Sequence, residues 1–458
     1  MPRRTAAQLR DDALKIWRAA VDAVDSRRLT AANVSVAGGE LRVGDESFAL
    51  ESVRRIIVVG GGKAGAGMAA GLEDALGPKV LDEKQVSGLL NVPADCVTKL
   101  RRIELHAARP AGKNEPTAVG VEGTKRILDL VAQAEPDDLV VCLISGGGSA
   151  LLPAPIEGVS LADKQAVTRF LSAAGADITE LNTVRKALSR IKGGGLASAC
   201  RARRLVALII SDVLGDPLDV IASGPTVPTT TGPADALAIL RRFDVDTRTE
   251  LRPVHAALER LVRDGATKPS PKCAVTNLVI GNNAVAVDAA GVVAERLGYS
   301  HAMVSATKPE GAAEDVGRHL AAMAVSMRQS AGPDCLISGG EPTVRLAPEG
   351  ERGKGGRNQQ LALAAMQSLL SAGVTSDVVL LSGGTDGEDG PTDAAGAVVD
   401  GALLSAFAGR SEALADSLRR NDAYRFFQPQ GALLQTGPTH TNVCDVRVVV
   451  VNRLRGEA

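Results

Sequence analysis

Aromatic residues are almost missing from this chain: one tryptophan, two tyrosines and six phenylalanines among 458 residues, 2% in all. The core must therefore be built from Ala, Val, Leu and Ile, which suits helices packed on a buried parallel sheet. An excess of charge is missing as well. The net charge is −1, so nothing global attracts nucleic acid or an anionic membrane. The densest basic run, Arg201 to Arg204, reads as a solvated loop. Paired cysteines are missing: six stand singly at 96, 142, 200, 273, 335 and 444, with no metal-knuckle or C-x-x-C spacing. Cys142 and Cys335 lie inside apolar runs and read as inert core thiols. The five histidines are dispersed without an H-x-x-x-H pair, so no zinc site is expected. No apolar run approaches the ~18 residues a membrane span needs. Arg3 and Arg4 are followed by Asp11 and Asp12 without a long apolar stretch, which fits neither a signal nor a transit peptide. The expectation is a soluble cytoplasmic protein.

What is present is alternation. Residues 5–28 read as an amphipathic helix, with Leu9, Ala13, Ile16, Trp17, Ala20 and Val24 at helical spacing. Strands are predicted at 54–59, 87–92, 139–144 and 205–210, and helices over 64–76, 117–133, 161–174 and 179–199. This is the pattern of a parallel sheet covered by helices. A Pro/Thr-rich loop at 225–233, a charged helical stretch and a linker at 267–272 follow. Alternation then restarts: strands at 275–281, 301–306, 335–340, 378–384 and 446–452, with helices over 283–297, 311–329 and 358–371. Two α/β domains are expected, 1–250 and 275–458, joined near 250–275.

An apolar run ending in Ser-Gly-Gly occurs three times, as CLISGG at 142–147 and 335–340 and as LLSGG at 380–384. Ligands of open parallel sheets bind beyond the carboxyl ends of the strands, and successive glycine N–H groups there can form an anion-binding nest. Ser145, Gly146, Gly147, Gly148 and Ser149 are candidates to hold phosphate, as are Ser338-Gly339-Gly340 and Ser382-Gly383-Gly384. The alternative is a tight strand-to-helix turn. Gly60, Gly62 and Gly65 fit the dinucleotide pattern G-x-G-x-x-G. That pattern expects an acid ending the second strand, and here the strand ends in Asn91-Val92-Pro93, which weighs against nicotinamide.

Lys63, inside this turn, is a solvated loop lysine or a cation aimed at a phosphoryl group or carboxylate. Asp212 follows the strand at 205–210, and Asp386 follows LLSGGT with Glu388, Asp389 and Asp393 behind it. Acids at strand ends can hold Mg²⁺ or take a proton from a hydroxyl, or they can be turn and cap residues. Arg357 opens a helix from a glycine-loosened basic loop. Lys192, in RIKGGGLA, fits a helix C-terminus. No P-loop and no protein-kinase signature is present.

Taken together, GGGKAGAGM, ISGGGSALL, NTVRKALSRIKGGGLA, ISDVLGDPLDVIASGPT, IGNN, ISGGEPTV, GKGGRNQQLAL, LSGGTDGEDGPTDAAGA and TGPTHTNVCD resemble the glycerate 2-kinase family, over about residues 8–452. The resemblance implies a Rossmann-like N-terminal domain with helices on both faces, a distinct C-terminal α/β domain of MOFRL type, and a site in the cleft. It implies ATP- and Mg²⁺-dependent phosphorylation of D-glycerate to 2-phosphoglycerate. Some family members carry a hydroxypyruvate reductase label, which makes an NAD(P)H-dependent reductase the alternative activity. A non-catalytic sensor is a third. The family's acting lysine and arginine match Lys63 and Arg357, with Asp212 as a further catalytic candidate. Asn282, Glu341 and Asn358 lie in the matching motifs and join the binding candidates with Lys192, while Asp386 is the metal candidate. A homodimer is left open. Two stretches depart from the family pattern: Ala107 to Glu115, which includes Arg109 and Asn114, and TGPTHTNVCD, with His440 and Cys444. If these touch the substrate, a related three- or four-carbon acid becomes the preferred one.

Overall fold

A computed structural model describes residues 3–454 except 114, 246–247 and 266–269. Asn114 and part of the expected linker therefore lie outside the described residues. The chain divides into two compact units, residues 26–280 and residues 1–25 with 281–458.

The first unit opens with a helix, Ser26–Ala32, and a small antiparallel sheet of β1 (Val34–Ala37), β2 (Glu40–Val43) and β3 (Glu46–Ala49), which the apolar pattern did not reveal. Its main sheet holds β4 (Ile56–Gly61), β5 (Ser87–Pro93), β6 (Ile103–Arg109), β7 (Leu139–Ser145), β8 (Arg204–Ile210) and β9 (Ala274–Gly281). The order is β6–β5–β4–β7–β8–β9, with parallel pairing from β6 through β8. The central strands β4 and β7 are buried at every position, as continuous Val/Ile/Leu runs require when both faces are covered. One core joins this sheet to the helix Ala118–Ala132. A second core, around Leu171, Leu188, Leu240 and Leu258, binds the helices Leu161–Ala173, Ile178–Ala187, Pro233–Arg242 and Arg252–Arg263 into a layer of their own.

Local chemistry shifts three expected boundaries. The helix expected over 64–76 continues as Gly65–Glu83 across a break at Gly77 (φ 69°) before Pro78. The helix expected over 179–199 stops at Ala187 and resumes as Gly195–Ala199, because left-handed Gly193 and Gly194 turn the chain. Lys192 therefore sits in the intervening loop rather than at a helix C-terminus. The stretch 275–281, expected to open the C-terminal domain, is β9 beside β8, so the first unit extends to residue 280. The Ala274 N–H donates to Arg203 O at 2.8 Å and starts that pairing.

The second unit contains β10 (His301–Ser305), β11 (Cys335–Gly340), β12 (Val378–Gly384), β13 (Gly396–Val399), β14 (Leu433–Leu434) and β15 (Asp445–Val451). The order is β10–β11–β15–β12–β13–β14, and only β10 and β11 pair in parallel. The last strand is thus inserted antiparallel at the centre of a mixed sheet. The N-terminal helix, Ala6–Ala23, belongs here and not to the N-terminal domain expected over 1–250. Its buried stripe of Leu9, Ala13, Ile16, Trp17 and Ala20 packs on the helix Asn283–Arg296 and on β12 and β15. The Trp17 indole N–H donates to Gly383 O at 3.3 Å, and the Tyr299 hydroxyl donates to Asp12 Oδ2 at 2.9 Å. All six cysteines are free and buried, and burial pushes the Cys142 thiol up to about 12.

Candidate active site

In the first unit the strand order reverses between β4 and β7, and a ligand crevice is expected beyond the carboxyl ends of such a pair. Both strands end in glycine turns, and the two turns hold each other. Gly62 has φ 155°, and a Cβ there would overlap Ser145 Oγ. The Lys63 N–H donates to Gly146 O at 2.8 Å, and the Ala64 N–H donates to Ser145 Oγ at 3.0 Å. Gly62 N–H goes to Asn91 O, and Gly65 N–H to Gly62 O. The N–H groups of the G-x-G-x-x-G turn are therefore spent inside the protein, and Gly60 and Gly62 are explained by close packing rather than by a phosphate cradle. Ser145, 1% exposed, ties the two turns together. Where a nicotinamide fold would place its ribose acid stands fully buried Asn91, whose amide donates to Gly120 O, Thr124 Oγ1 and Leu151 O.

The second turn, Gly146 to Gly148 with left-handed Gly147, faces a cavity of about 520 Å³. Gly147, Ser149, Lys192 and Asp212, all marked by the sequence, line it together. A Cβ on Gly146 would lie 2.5 Å from Asp212 Oδ2, and one on Gly147 would lie 3.4 Å from both Lys63 Cγ and Arg109 Nη2. The half-buried Lys63 thus runs alongside this turn. A Cβ on Gly148 would lie 2.8 Å from Ala222 Cβ, so that glycine admits the opposite wall. Lys192, 3% exposed, donates from Nζ to Ser149 O at 2.8 Å and Ser149 Oγ at 2.7 Å.

The cavity also contains residues the sequence reading missed. Arg185 Nη2 donates to Ser149 Oγ at 2.8 Å, and its Nη1 donates to Asn182 Oδ1 at 3.3 Å. Burial lowers the Arg185 pKa. Ser223 Oγ lies 2.7 Å from Ser149 Oγ. Ser223 follows Ala222 in left-handed backbone, at φ 64° and 49°, a strained pair of the kind that clusters at ligand sites. That strain is held by the glycine run across from it: Gly193 N–H donates to Ser223 O, and Gly194 N–H to Gly224 O. Lys164, Arg169, Glu115 and Gln165 complete the polar wall.

In the second unit the remaining candidates also converge, but on each other. Arg357 donates bidentately to Asp445, Nε to Oδ2 at 2.7 Å and Nη2 to Oδ1 at 3.0 Å, and from Nη1 to Glu341 Oε1 at 2.8 Å. Asn358 is fully buried, accepts from the Ser382 hydroxyl at 2.6 Å and donates to Asp389 Oδ1. It is a packing residue and not a ligand contact. Asn282 caps the helix Asn283–Arg296 by accepting from the Val285 N–H at 3.0 Å. Gly339 and Gly340 lie in β11, where a Cβ would overlap Asn283 and Glu310 respectively, so side-chain packing accounts for both. Asp386 Oδ1 accepts from the Glu388 N–H at 3.2 Å in a tight turn. Among the described residues no group of three or more His, Cys, Asp or Glu could hold a metal ion.

Residues 12–259 match the family described as a domain of unknown function, DUF4147, and residues 334–445 match the MOFRL family. The chain is 36% identical to the glycerate kinase of Danio rerio, with 97% of this chain and 98% of that one covered. It is 37% identical to the glycerate kinase of Homo sapiens, over 96% and 93%. This chain belongs to the DUF4147–MOFRL glycerate kinase family. Its fold is shared with the crystal structure of the glycerate kinase from Thermotoga maritima, at 33% identity and a TM-score of 0.79, covering 97% of this chain and 99% of that one. As in the family resemblance, an α/β unit with a parallel sheet is accompanied by a separate mixed α/β unit. No helix among the described residues is long and apolar enough to cross a membrane.

Proposed function

We propose that this protein is a glycerate kinase that transfers the γ-phosphoryl group of ATP to the 2-hydroxyl of D-glycerate in the cytoplasm. One observation carries the reading. The cavity beyond β4 and β7 is lined by four basic side chains and two acidic ones, beside a glycine turn. Two anions, a nucleotide and an acid, repel each other, and a positively biased cavity offsets that repulsion while it aligns them. The named relatives supply the identity of the acid.

Lys63, alongside Gly147, would stabilise charge on the transferring group. Asp212 would hold a magnesium ion or accept the hydroxyl proton. Magnesium is ordinarily bound through one or two carboxylates together with substrate phosphates, and Asp212 supplies one such carboxylate on the cavity wall. The bound ion would supply charge neutralisation on the β- and γ-phosphates. The tight turn accounts for Asp386 without a metal, and Arg357 enters this reading only as a cation already balanced by its own carboxylates.

Purified protein with D-glycerate, ATP and Mg²⁺ should release ADP and give the ³¹P NMR signal of 2-phosphoglycerate. A 3-phospho product would keep the kinase and overturn the acceptor hydroxyl. NADH consumption on hydroxypyruvate without ADP release would replace the reading with a reductase. Lys63→Ala is expected to lower kcat by about 10²–10³-fold with an unchanged melting temperature, and near-full turnover would remove Lys63 from the chemistry.

A further inference from the structure

Arg185 is set apart from its neighbours by its partners. The adjacent Lys186 has a carboxylate, Asp219, at 3.0 Å. Arg185 is held instead by two neutral groups, Asn182 Oδ1 and Ser149 Oγ, on a cavity wall. Ser149 Oγ also accepts from Lys192 Nζ, so two cations converge on one hydroxyl. Like charges brought together around a neutral atom favour an anion that can lie against both. Asn182 and Ser149 each fix one arm of the guanidinium, so the planar fork is oriented before a ligand arrives, and a fork of this kind matches a carboxylate bidentately.

We propose that Arg185, oriented by Asn182 and Ser149 and assisted by Lys192, binds the carboxylate of the hydroxy-acid substrate and sets the enzyme's preference for short acids. The identity of that acid rests on the kinase reading above. The size limit comes from the chain itself. Gly147, at the turn beside Lys63 and Asp212, and Ser149, under Arg185, are two residues apart, at most about 7 Å. An acid of three or four carbons with its carboxylate on Arg185 would place its hydroxyl towards the glycine turn. The neighbouring Ser149 and Ser223 hydroxyls and the Asn182 amide are neutral hydrogen-bonding groups of the kind a polyhydroxy acid uses. Arg185 is therefore a specificity-determining residue, distinct from the groups assigned to phosphoryl transfer.

The test uses the full chain with Arg185→Gln and Arg185→Lys, read by steady-state kinetics and by calorimetric titration of D-glycerate, ATP and inorganic phosphate separately. Arg185→Gln should raise KM and Kd for D-glycerate about ten- to a hundredfold, leave the ATP constants within about twofold, and change kcat little. Arg185→Lys keeps the charge without the fork and should fall between the two, and it carries the test if the glutamine variant does not fold. Equal D-glycerate binding by wild type and Arg185→Gln overturns the proposal. So does a loss that falls on ATP or inorganic phosphate, which would make the subsite a phosphate site. A wild-type protein that binds D-glycerate through Arg185 but transfers no phosphoryl group would remove the kinase reading and leave the carboxylate site standing.

Discussion

A partly buried guanidinium is tolerated when carboxylates and hydrogen bonds offset its lost hydration. Arg357 meets that condition: burial opposes its charge, but Asp445 and then Glu341 raise its pKa above the ordinary arginine value. Any loss of rate in an Arg357→Ala protein would include the cost of stranding Asp445, whose side chain is fully buried, and has to be read beside its melting curve. The neighbouring Asp389 behaves in the opposite sense. Burial pushes its carboxyl up to about 7, against the N–H groups of Asn358 and Gln359 that favour its charged form, and Asp445 adds to the rise. A folded pKa above the unfolded value of 3.8 means that the native state binds the extra proton between those two values. This group's stabilisation is therefore full below about pH 4 and lost as pH rises through 7. The melting-temperature advantage of wild type over Asp389→Asn should shrink from pH 5 to pH 8, and a constant difference would show that Asp389 does not titrate there. At this scale the sequence revealed residues marked by local chemistry, such as Lys63 among glycines. Inside NTVRKALSR only Asn182 is a local partner of Arg185, and Ser149, which places it on the cavity wall, lies 36 residues away.

At the scale of elements, the three Ser-Gly-Gly copies divide by what flanks them. In β7 the serine ends the strand, and the glycines turn towards the cavity. In β11 and β12 the motif stays inside the strand, and the two copies sit on either side of β15. Ser338 and Ser382 both pair with Arg447, Gly339 and Gly383 with Val446, and Gly340 and Gly384 with Asp445. The glycines opposite Asp445 leave room for the Glu310 side chain at Gly340 and for the turn of Asp386 and Glu388 at Gly384, and those opposite Val446 leave room for Asn283 at Gly339 and for Trp17 at Gly383. The fully buried Arg447 finds its charge partner in Glu310, at 2.8 Å from both terminal nitrogens. The repeat was legible in sequence, but its purpose was not, because β15 lies more than 60 residues beyond either copy and its antiparallel insertion leaves no local signal. The interlocked turns of the first unit give the sharper test. Gly62→Ala places a methyl group against Ser145 Oγ and 2.7 Å from Ser145 O, at a φ that L-residues rarely adopt. It is expected to cost more than about 2 kcal/mol in chemical denaturation. A second change, Ser145→Ala, should restore only part of that, since the carbonyl contact remains. Full stability in Gly62→Ala would mean that the two turns do not bear on each other.

Over the whole molecule, the chain begins and ends in the same unit. Composition and alternation were enough to indicate two α/β units, since Val/Ile runs separated by helices can only bury both sheet faces in that way. They could not show that the first 25 residues cross over to the second unit, because an amphipathic stripe specifies that a face is covered and not what covers it. Trp17 fixes the choice. It is the chain's one tryptophan, is 1% exposed, and packs where Gly383 has no side chain, with its N–H on the Gly383 carbonyl. Removing it opens a cavity beneath β12 and β15, so Trp17→Ala is expected to cost about 3–5 kcal/mol. The cost should be local to that unit. In hydrogen–deuterium exchange on the full chain, peptides covering 378–384 and 445–451 should lose protection, while those covering 56–61 and 139–145, more than 30 residues along the chain but in the other unit, should keep theirs. Loss of protection in the β4 and β7 peptides instead would mean that the N-terminal helix stabilises the first sheet, and that the division of the chain at residues 25 and 280 does not describe how it unfolds.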